Sequence, residues 1–179
     1  MKKVLFVTAV AVFGWLNVNA QEVKFGAKGG LNFAFVTGDN INKLDPISDF
    51  HAGILAEISI SEKFSFQPEL LYSGQGSKIN LTYINLPLLG KYYLTKGFSI
   101  EAGPQIGYLL SAKNGSTDVK NSYKSIDLGA SLGASYTLNN RFIFSARYNL
   151  GLSNINDVSG LSDKNRNGVF QLSIGYFLF

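Results

Sequence analysis

Ser125-Ile126-Asp127-Leu128-Gly129-Ala130-Ser131-Leu132-Gly133-Ala134-Ser135-Tyr136-Thr137-Leu138 alternates without a break. Its even positions are Ile, Leu, Ala, Leu, Ala, Tyr and Leu; its odd positions are Ser, Asp, Gly, Ser, Gly, Ser and Thr. Successive side chains of a strand point to opposite faces, so this stretch has one greasy face and one small, polar face. The next stretch repeats the pattern. Phe142, Phe144, Ala146, Tyr148, Leu150 and Leu152 alternate with Ile143, Ser145, Arg147, Asn149, Gly151 and Ser153.

Working outward, eight such segments fill the chain: 23–37, 50–60, 64–74, 82–94, 98–112, 123–138, 142–153 and 169–179. From the second to the eighth, the apolar face keeps to even numbers. Three connections are tight: Ser61-Glu62-Lys63, Thr95-Lys96-Gly97 and Asn139-Asn140-Arg141. A three-residue hairpin loop preserves parity, and Gly97 and the Asn pair suit the positive φ such loops need. The other connections, 38–49, 75–81, 113–122 and 154–168, are longer and polar. Short and long connections alternate, which predicts an all-β, eight-stranded, antiparallel up-and-down transmembrane β-barrel.

Alternation does not say which face is inside, since a soluble lipocalin-like barrel alternates too. Volume decides it: roughly forty large apolar side chains cannot fit the interior of an eight-stranded barrel, which side chains barely fill. The greasy face therefore looks at lipid. The strands cover the length of about 9–11 residues that a tilted membrane strand needs. Phe25, Phe64, Tyr92, Phe98, Tyr136, Phe142 and Tyr176 fall near the short-turn end of the outward face. Phe35, Phe50, Tyr72, Tyr108, Tyr148 and Phe170 fall near the long-loop end. Two aromatic girdles are what the two interfaces of a bilayer select.

The N-terminus reads differently. Met1-Lys2-Lys3 is basic, residues 4–16 are almost wholly apolar, and Val18-Asn19-Ala20 puts small residues before Gln21. That is the layout of a cleavable signal peptide, and the apolar run is too short to span a membrane. The expected organisation is a signal peptide over 1–20 and an outer-membrane β-barrel domain over 21–179, in a Gram-negative bacterium. Of 179 residues, 46% are apolar and 16% charged, with 16 Lys+Arg against 12 Asp+Glu. Removing Lys2 and Lys3 lowers the net charge from +4 to +2, with no cationic run, which argues against nucleic acid as a partner. The absence of cysteine excludes disulfides and thiolate metal sites, and a single histidine excludes a multi-His site.

Several segments resemble a known family. Phe50-His51-Ala52-Gly53, Ala56-Glu57-Ile58, Phe66-Gln67-Pro68-Glu69-Leu70-Leu71-Tyr72-Ser73, Ile84-Asn85-Leu86-Pro87-Leu88-Leu89-Gly90-Lys91-Tyr92-Tyr93 and the ending Val169-Phe170-Gln171-Leu172-Ser173-Ile174-Gly175-Tyr176 look like the PorT-like outer-membrane β-barrel proteins. The resemblance covers nearly all of the chain after the leader. It implies the same fold and location, and its name comes from a member linked to protein secretion. The terminal Phe179 is similar to the signal read by the outer-membrane insertion machinery, although alternation puts Phe179 on the polar face and Leu178 outward. Pro68, Pro87 and Pro104 sit inside strands, where a missing donor threatens the local register.

The lumen face carries Lys28, Glu57, Glu69, Lys91, Glu101, Asp127 and Arg147. The expected arrangement is a structural charge network, with Lys91 paired to Glu101 across the 95–97 turn and Glu69 at a similar height; the competing reading is an ion or proton path. His51, with Ser48 and Asp49, supplies the residue types of a hydrolase triad, but as sequence neighbours at the long-loop rim they are read as a polar rim. Asp163-x-Asn165-x-Asn167-Gly168 matches the start of a calcium loop, yet Ile174 stands where its last carboxylate belongs, so a turn is expected. Gly26, Gly29 and Gly30 lie in a strand with no helix after it and make no phosphate loop. No catalytic set, metal site or cofactor is expected. The expected partners are outer-membrane lipid, the insertion machinery during assembly, and an unidentified surface ligand or secretion-system proteins.

Overall fold

The computed structural model of the chain describes residues 22–37, 47–76, 80–153 and 166–179. Among the described residues nine strands form: β1 (Val23–Thr37), β2 (Ile47–Ser59), β3 (Phe64–Gly76), β4 (Asn80–Tyr93), β5 (Phe98–Asn114), β6 (Thr117–Asp118), β7 (Ile126–Leu138), β8 (Phe142–Gly151) and β9 (Arg166–Phe177). Eight close into one antiparallel barrel in the order β1-β2-β3-β4-β5-β7-β8-β9, with β9 returning to β1; the two-residue β6 pairs only with the end of β5. The first strand matches its expected bounds, whereas β7 begins at Ile126. Tyr123 belongs instead to the connection before β7, just after a 3-10 turn at Lys120–Ser122. The leader, most of the 38–49 and 154–168 connections, and the Asp163–Asn165 part of the calcium-like motif lie outside the described residues.

The stagger of the closed sheet follows from its pairing. Val23 pairs with Ile58, and the path continues through Phe66, Gly90, Ala102, Leu132, Tyr148 and Phe170 to Phe33, ten residues further along β1 than its start. Strands in such a barrel tilt strongly. Backbone partners on neighbouring strands therefore differ in height, and residues level with one another belong to different backbone pairs.

The outward face is apolar as its alternation requires. Leu132 is 66% exposed, Ile54 62% and Ile174 61%. The girdles pair up on it: Phe142 meets Tyr176 edge-on at 5.1 Å, and Phe50 meets Tyr72 at 6.0 Å. The tight turns are three residues long. Ile60 and Leu94 donate to the carbonyls of Phe64 and Phe98 at 2.9 Å, and Leu138 pairs with Phe142. Asn139 and Asn140 take positive φ (52° and 56°), but Gly97 does not; there, a Cβ would run into the Thr137 carbonyl and the Tyr136 ring.

The inward face corrects the sequence reading in one respect, because it is not uniformly small and polar. Leu81, Tyr83, Leu109 and Ala112 form an inward apolar cluster at the long-loop end, with Val119 and Tyr123 packed on it. The register of β4 and β5 shifts between Thr82 and Tyr83: Thr82 pairs with Ser111 and Tyr83 with Leu109. Leu110 is the extra residue of this bulge, and beyond it parity reverses, turning Ala112 inward. A second cluster, Leu55, Ile143 and Phe177, lies toward the short turns.

The prolines break ladders without moving the register. Pro68 keeps its β4 partner Leu88, while the β2–β3 ladder skips from Leu55↔Glu69 to Ile58↔Phe66. Pro87 keeps Gln105 while the β3–β4 ladder skips to Leu71↔Asn85, and Pro104 keeps Ala130 while the β4–β5 ladder resumes at Gly90↔Ala102. Each proline turns its missing donor to one neighbour only, so the pairing on the other side holds the strand in place.

Candidate functional site in the barrel lumen

At the short-turn mouth a cavity of about 810 Å³ opens, lined by Lys24, Glu57, Lys63, Tyr93, Lys96 and Phe177 among others. Its inner end is polar and occupied. Lys91 Nζ donates to Glu57 Oε2 at 2.6 Å and to Gln67 Oε1 at 3.1 Å, and the Tyr93 hydroxyl donates to Glu57 Oε1 at 2.5 Å. Lys91 is wholly buried.

Deeper in the lumen, Arg147 of β8 reaches Glu69 of β3, four strands away in either direction around the ring. Its Nη1 and Nη2 donate to the two Glu69 oxygens at 2.8 and 2.9 Å, while its Nε donates to Glu101 Oε1 at 2.8 Å. Lys28 adds a third cation, 3.2 Å from Glu69 Oε1, and Gln67 Nε2 donates to the same oxygen at 2.6 Å. A planar fork saturates a carboxylate in this way with two parallel bonds. Lys28, Lys91 and Arg147 face Glu57, Glu69 and Glu101, so opposite charges balance where burial would otherwise penalise them.

The structure brings six of the seven lumen charges into these contacts. Asp127 lies nearer the long-loop end, where it accepts from Ser153 Oγ at 2.5 Å. Lys91 and Glu101 are backbone partners, yet their side chains do not pair. The tilt separates them in height, and each turns to a group level with itself.

His51 is also corrected. It sits inside the lumen, 1% exposed, not on the rim. Its Nδ1 lies 2.8 Å from Asn32 Oδ1 and its Nε2 lies 2.8 Å from Ser173 Oγ. Asn32 Nδ2 in turn donates to Ser73 Oγ at 2.9 Å and to the Gly74 carbonyl at 2.6 Å, and Gln171 Nε2 donates to Asn32 Oδ1 at 2.9 Å. Asp49 Oδ1 instead accepts from the Phe50 amide at 2.7 Å. Both imidazole nitrogens are committed to neutral groups, so this histidine ties β2 to β1 and β9 inside the lumen.

The lumen is thus stacked from the short-turn mouth outward: an open polar mouth, an ion-pair layer, an amide and imidazole layer, and an apolar cap. Asn32, Gln67, Tyr93, Ser173 and Gln171 were not singled out from sequence. Their only signal is parity, since each stands on the inward phase of its strand.

The outer membrane protein beta-barrel domain family matches residues 19–157, most of this layered barrel. The chain belongs to that family. It is an integral outer-membrane β-barrel of a Gram-negative bacterium. Among solved structures, the outer-membrane barrel is similar to Ail, the attachment invasion locus protein of Yersinia pestis. The two share 13% identity, covering 88% of this chain and 99% of Ail at a TM-score of 0.56. It is also similar to Neisserial surface protein A, with 16% identity, 87% and 98% coverage and a TM-score of 0.54. At these identities the likeness is one of fold. No curated protein matches the outer-membrane barrel.

Proposed function

We propose that this outer-membrane barrel is non-enzymatic and acts through its surface: its lumen is a structural plug, and its long connections present a binding or adhesion surface or support the membrane. One observation carries the reading. Arg147 spans the lumen from β8 to Glu69 of β3, and Leu81, Tyr83 and Leu109 pack together on the inward side of β4 and β5 at the long-loop end. A wall braced from within is suited to holding loops in place, not to passing solutes. Water-filled channels belong to barrels of about 16–18 strands. On this reading residues 1–20 are the removed signal peptide, 21–179 form the mature barrel, and the insertion machinery is its partner during assembly.

The test is planar-bilayer conductance together with liposome swelling by small sugars. Rare or absent openings in the wild type are expected. Large, frequent, stable openings would move the function to transport.

A second reading is favoured by the PorT-like resemblance of 66–73 and 84–93: an accessory component of an outer-membrane secretion assembly. Pull-down from intact outer membranes separates the two, since stable co-purification of secretion proteins supports the second alone.

A further inference from the structure

We propose that the amide layer of the lumen binds a cluster of ordered water molecules, held by Asn85 of β4, Gln105 of β5, Asn149 of β8 and Gln171 of β9.

The stagger assembles this layer. Ten residues over eight strands is just over one residue of rise per strand, so inward side chains at one height are diagonal neighbours and not backbone partners. Asn85 pairs with Gly107 and Gln105 with Gly129, which sets Asn85 and Gln105 level with each other. Ser131 pairs with Asn149, and Arg147 with Gln171, so the level continues through β7 and β8 to β9.

One part of the layer is closed by direct bonds. Asn32 Oδ1 accepts from Gln171 Nε2 at 2.9 Å and lies 2.8 Å from His51 Nδ1. Ser131 Oγ donates to Asn149 Oδ1 at 2.7 Å. The remaining amide ends are left over. Asn85 Nδ2, Asn149 Nδ2, Gln105 Oε1 and Gln171 Oε1 are buried and bond to no described group. Asn85 and Gln171 are 1% exposed and Asn149 is 4% exposed, so bulk solvent does not serve them. Glu101 Oε2, two inward positions down β5 from Gln105, is a further free acceptor.

Two of the four amide ends are donors and two are acceptors. Opposite ends within reach would bond each other directly, and these do not. Buried polar groups are nearly always paired, and an unpaired amide is costly. Water both donates and accepts, so it bridges a mixed set of this kind without adding charge. An ion fits less well, because the layer beneath already sets three cations against three carboxylates. Gly107 leaves room beside Asn85: a Cβ there would come within 2.8 Å of Asn85 Oδ1. Among the described residues, no direct side-chain bond ties Asn85 or Gln105 to another strand. The waters complete that part of the ring and join β4 and β5 to β8 and β9. They do so whatever the loops bind.

The experiment uses the refolded barrel in detergent micelles, with side-chain amides assigned by NMR and their cross-relaxation with water measured. Long-lived water contacts are expected at the Asn85 and Asn149 amides. None is expected at Asn32 Nδ2, which is committed to Ser73 Oγ and the Gly74 carbonyl. A wild type without water contacts at Asn85 and Asn149 would overturn the proposal without reference to any variant. So would contacts showing the Asn85 and Gln105 amides bonded to each other. Gln105→Met and Asn85→Leu remove one free end each at nearly constant volume. If water fills the layer, each should lower the folding equilibrium constant in urea titrations about five-fold. If the layer is dry, deleting an unpaired amide removes a penalty, so an unchanged or raised urea midpoint in both folded variants would also overturn it.

Discussion

Lys91 and Glu101 face each other across the β4–β5 ladder, yet Lys91 gives its proton donors to Glu57, 2.6 Å away, and Glu101 accepts from Arg147 at 2.8 Å. Backbone register and side-chain pairing diverge because the strands are tilted. The lumen charges consequently tie strands that are not adjacent: β4 to β2, β8 to β5, and β8 to β3. These ties brace the barrel across its interior as well as around its wall.

Arg147 should be the costliest single truncation among these ties. Arg147→Ala leaves Glu69 with Lys28 as its cation and Gln67 as its neutral donor, and removes the cation from Glu101. Removing one partner of a buried pair costs about 3–5 kcal/mol. Lys91→Ala lies beside the open mouth, where water can reach Glu57, and should cost less. Urea unfolding of both variants in liposomes, read by tryptophan-independent heat-modified gel mobility, checks the order.

The lipid face should show a depth profile. Leu132 is 66% exposed in mid-strand, whereas Phe142 begins β8 in the short-turn girdle. An Arg at the bilayer midplane costs about 2–4 kcal/mol and at the interface about 0–1. Leu132→Arg should therefore lower the folding free energy into vesicles well beyond Phe142→Arg. Equal losses would mean that the outward face does not meet hydrocarbon.

The apolar cap should hold the outer connection in place. Tyr83 is 1% exposed in the cluster that Val119 and Tyr123 cover. Large-to-small truncation of a buried aromatic costs about 3–5 kcal/mol. Tyr83→Ala should speed amide hydrogen exchange across residues 117–125 more than at the short turns, as measured by mass spectrometry of peptic fragments.

Close strand approach should make Gly53 costly to replace. A Cβ on Gly53 would overlap the Leu70 carbonyl of the neighbouring strand, beside the ladder that Pro68 interrupts. Gly53→Ala should cost about 1–3 kcal/mol, the range for overpacking, while Gly115→Ala meets no atom nearby and suffers only from its positive φ. Denaturation midpoints of the two variants provide the comparison.

Much of this protein was legible in its residues. A period of two over 125–138 and 142–153, with parity carried through three-residue turns, is enough for eight strands with two chemically distinct faces. Volume then sends the larger face to lipid. The aromatic girdles follow from the same phase: Phe142 and Tyr176 stand at one end, Phe50 and Tyr72 at the other. The terminal residue resisted alternation because regular pairing ends at Phe177. Beyond it the Leu178 amide donates to the Phe25 carbonyl at 2.7 Å and the Phe25 amide to the Phe179 carbonyl at 2.9 Å, so two residues oppose Phe25 alone, and the tilted Phe179 ring lies 5.8 Å from that of Phe25.

Closure decided the rest. The ten-residue stagger of the circuit sets which lumen side chains share a height, and no local pattern encodes it. It sends Lys91 to Glu57, carries Arg147 to Glu69, and places His51 between Asn32 and Ser173 instead of beside Asp49. The bulge at Thr82 and Tyr83 likewise exists only as a mismatch between two strands, and it turns Ala112 inward to join Tyr83 and Leu109. Alternation is a property of one strand, carried by each residue's own polarity. Partner choice across a lumen belongs to the closed ring, where tilt and stagger fix the distances that charge and hydrogen bonding then act upon.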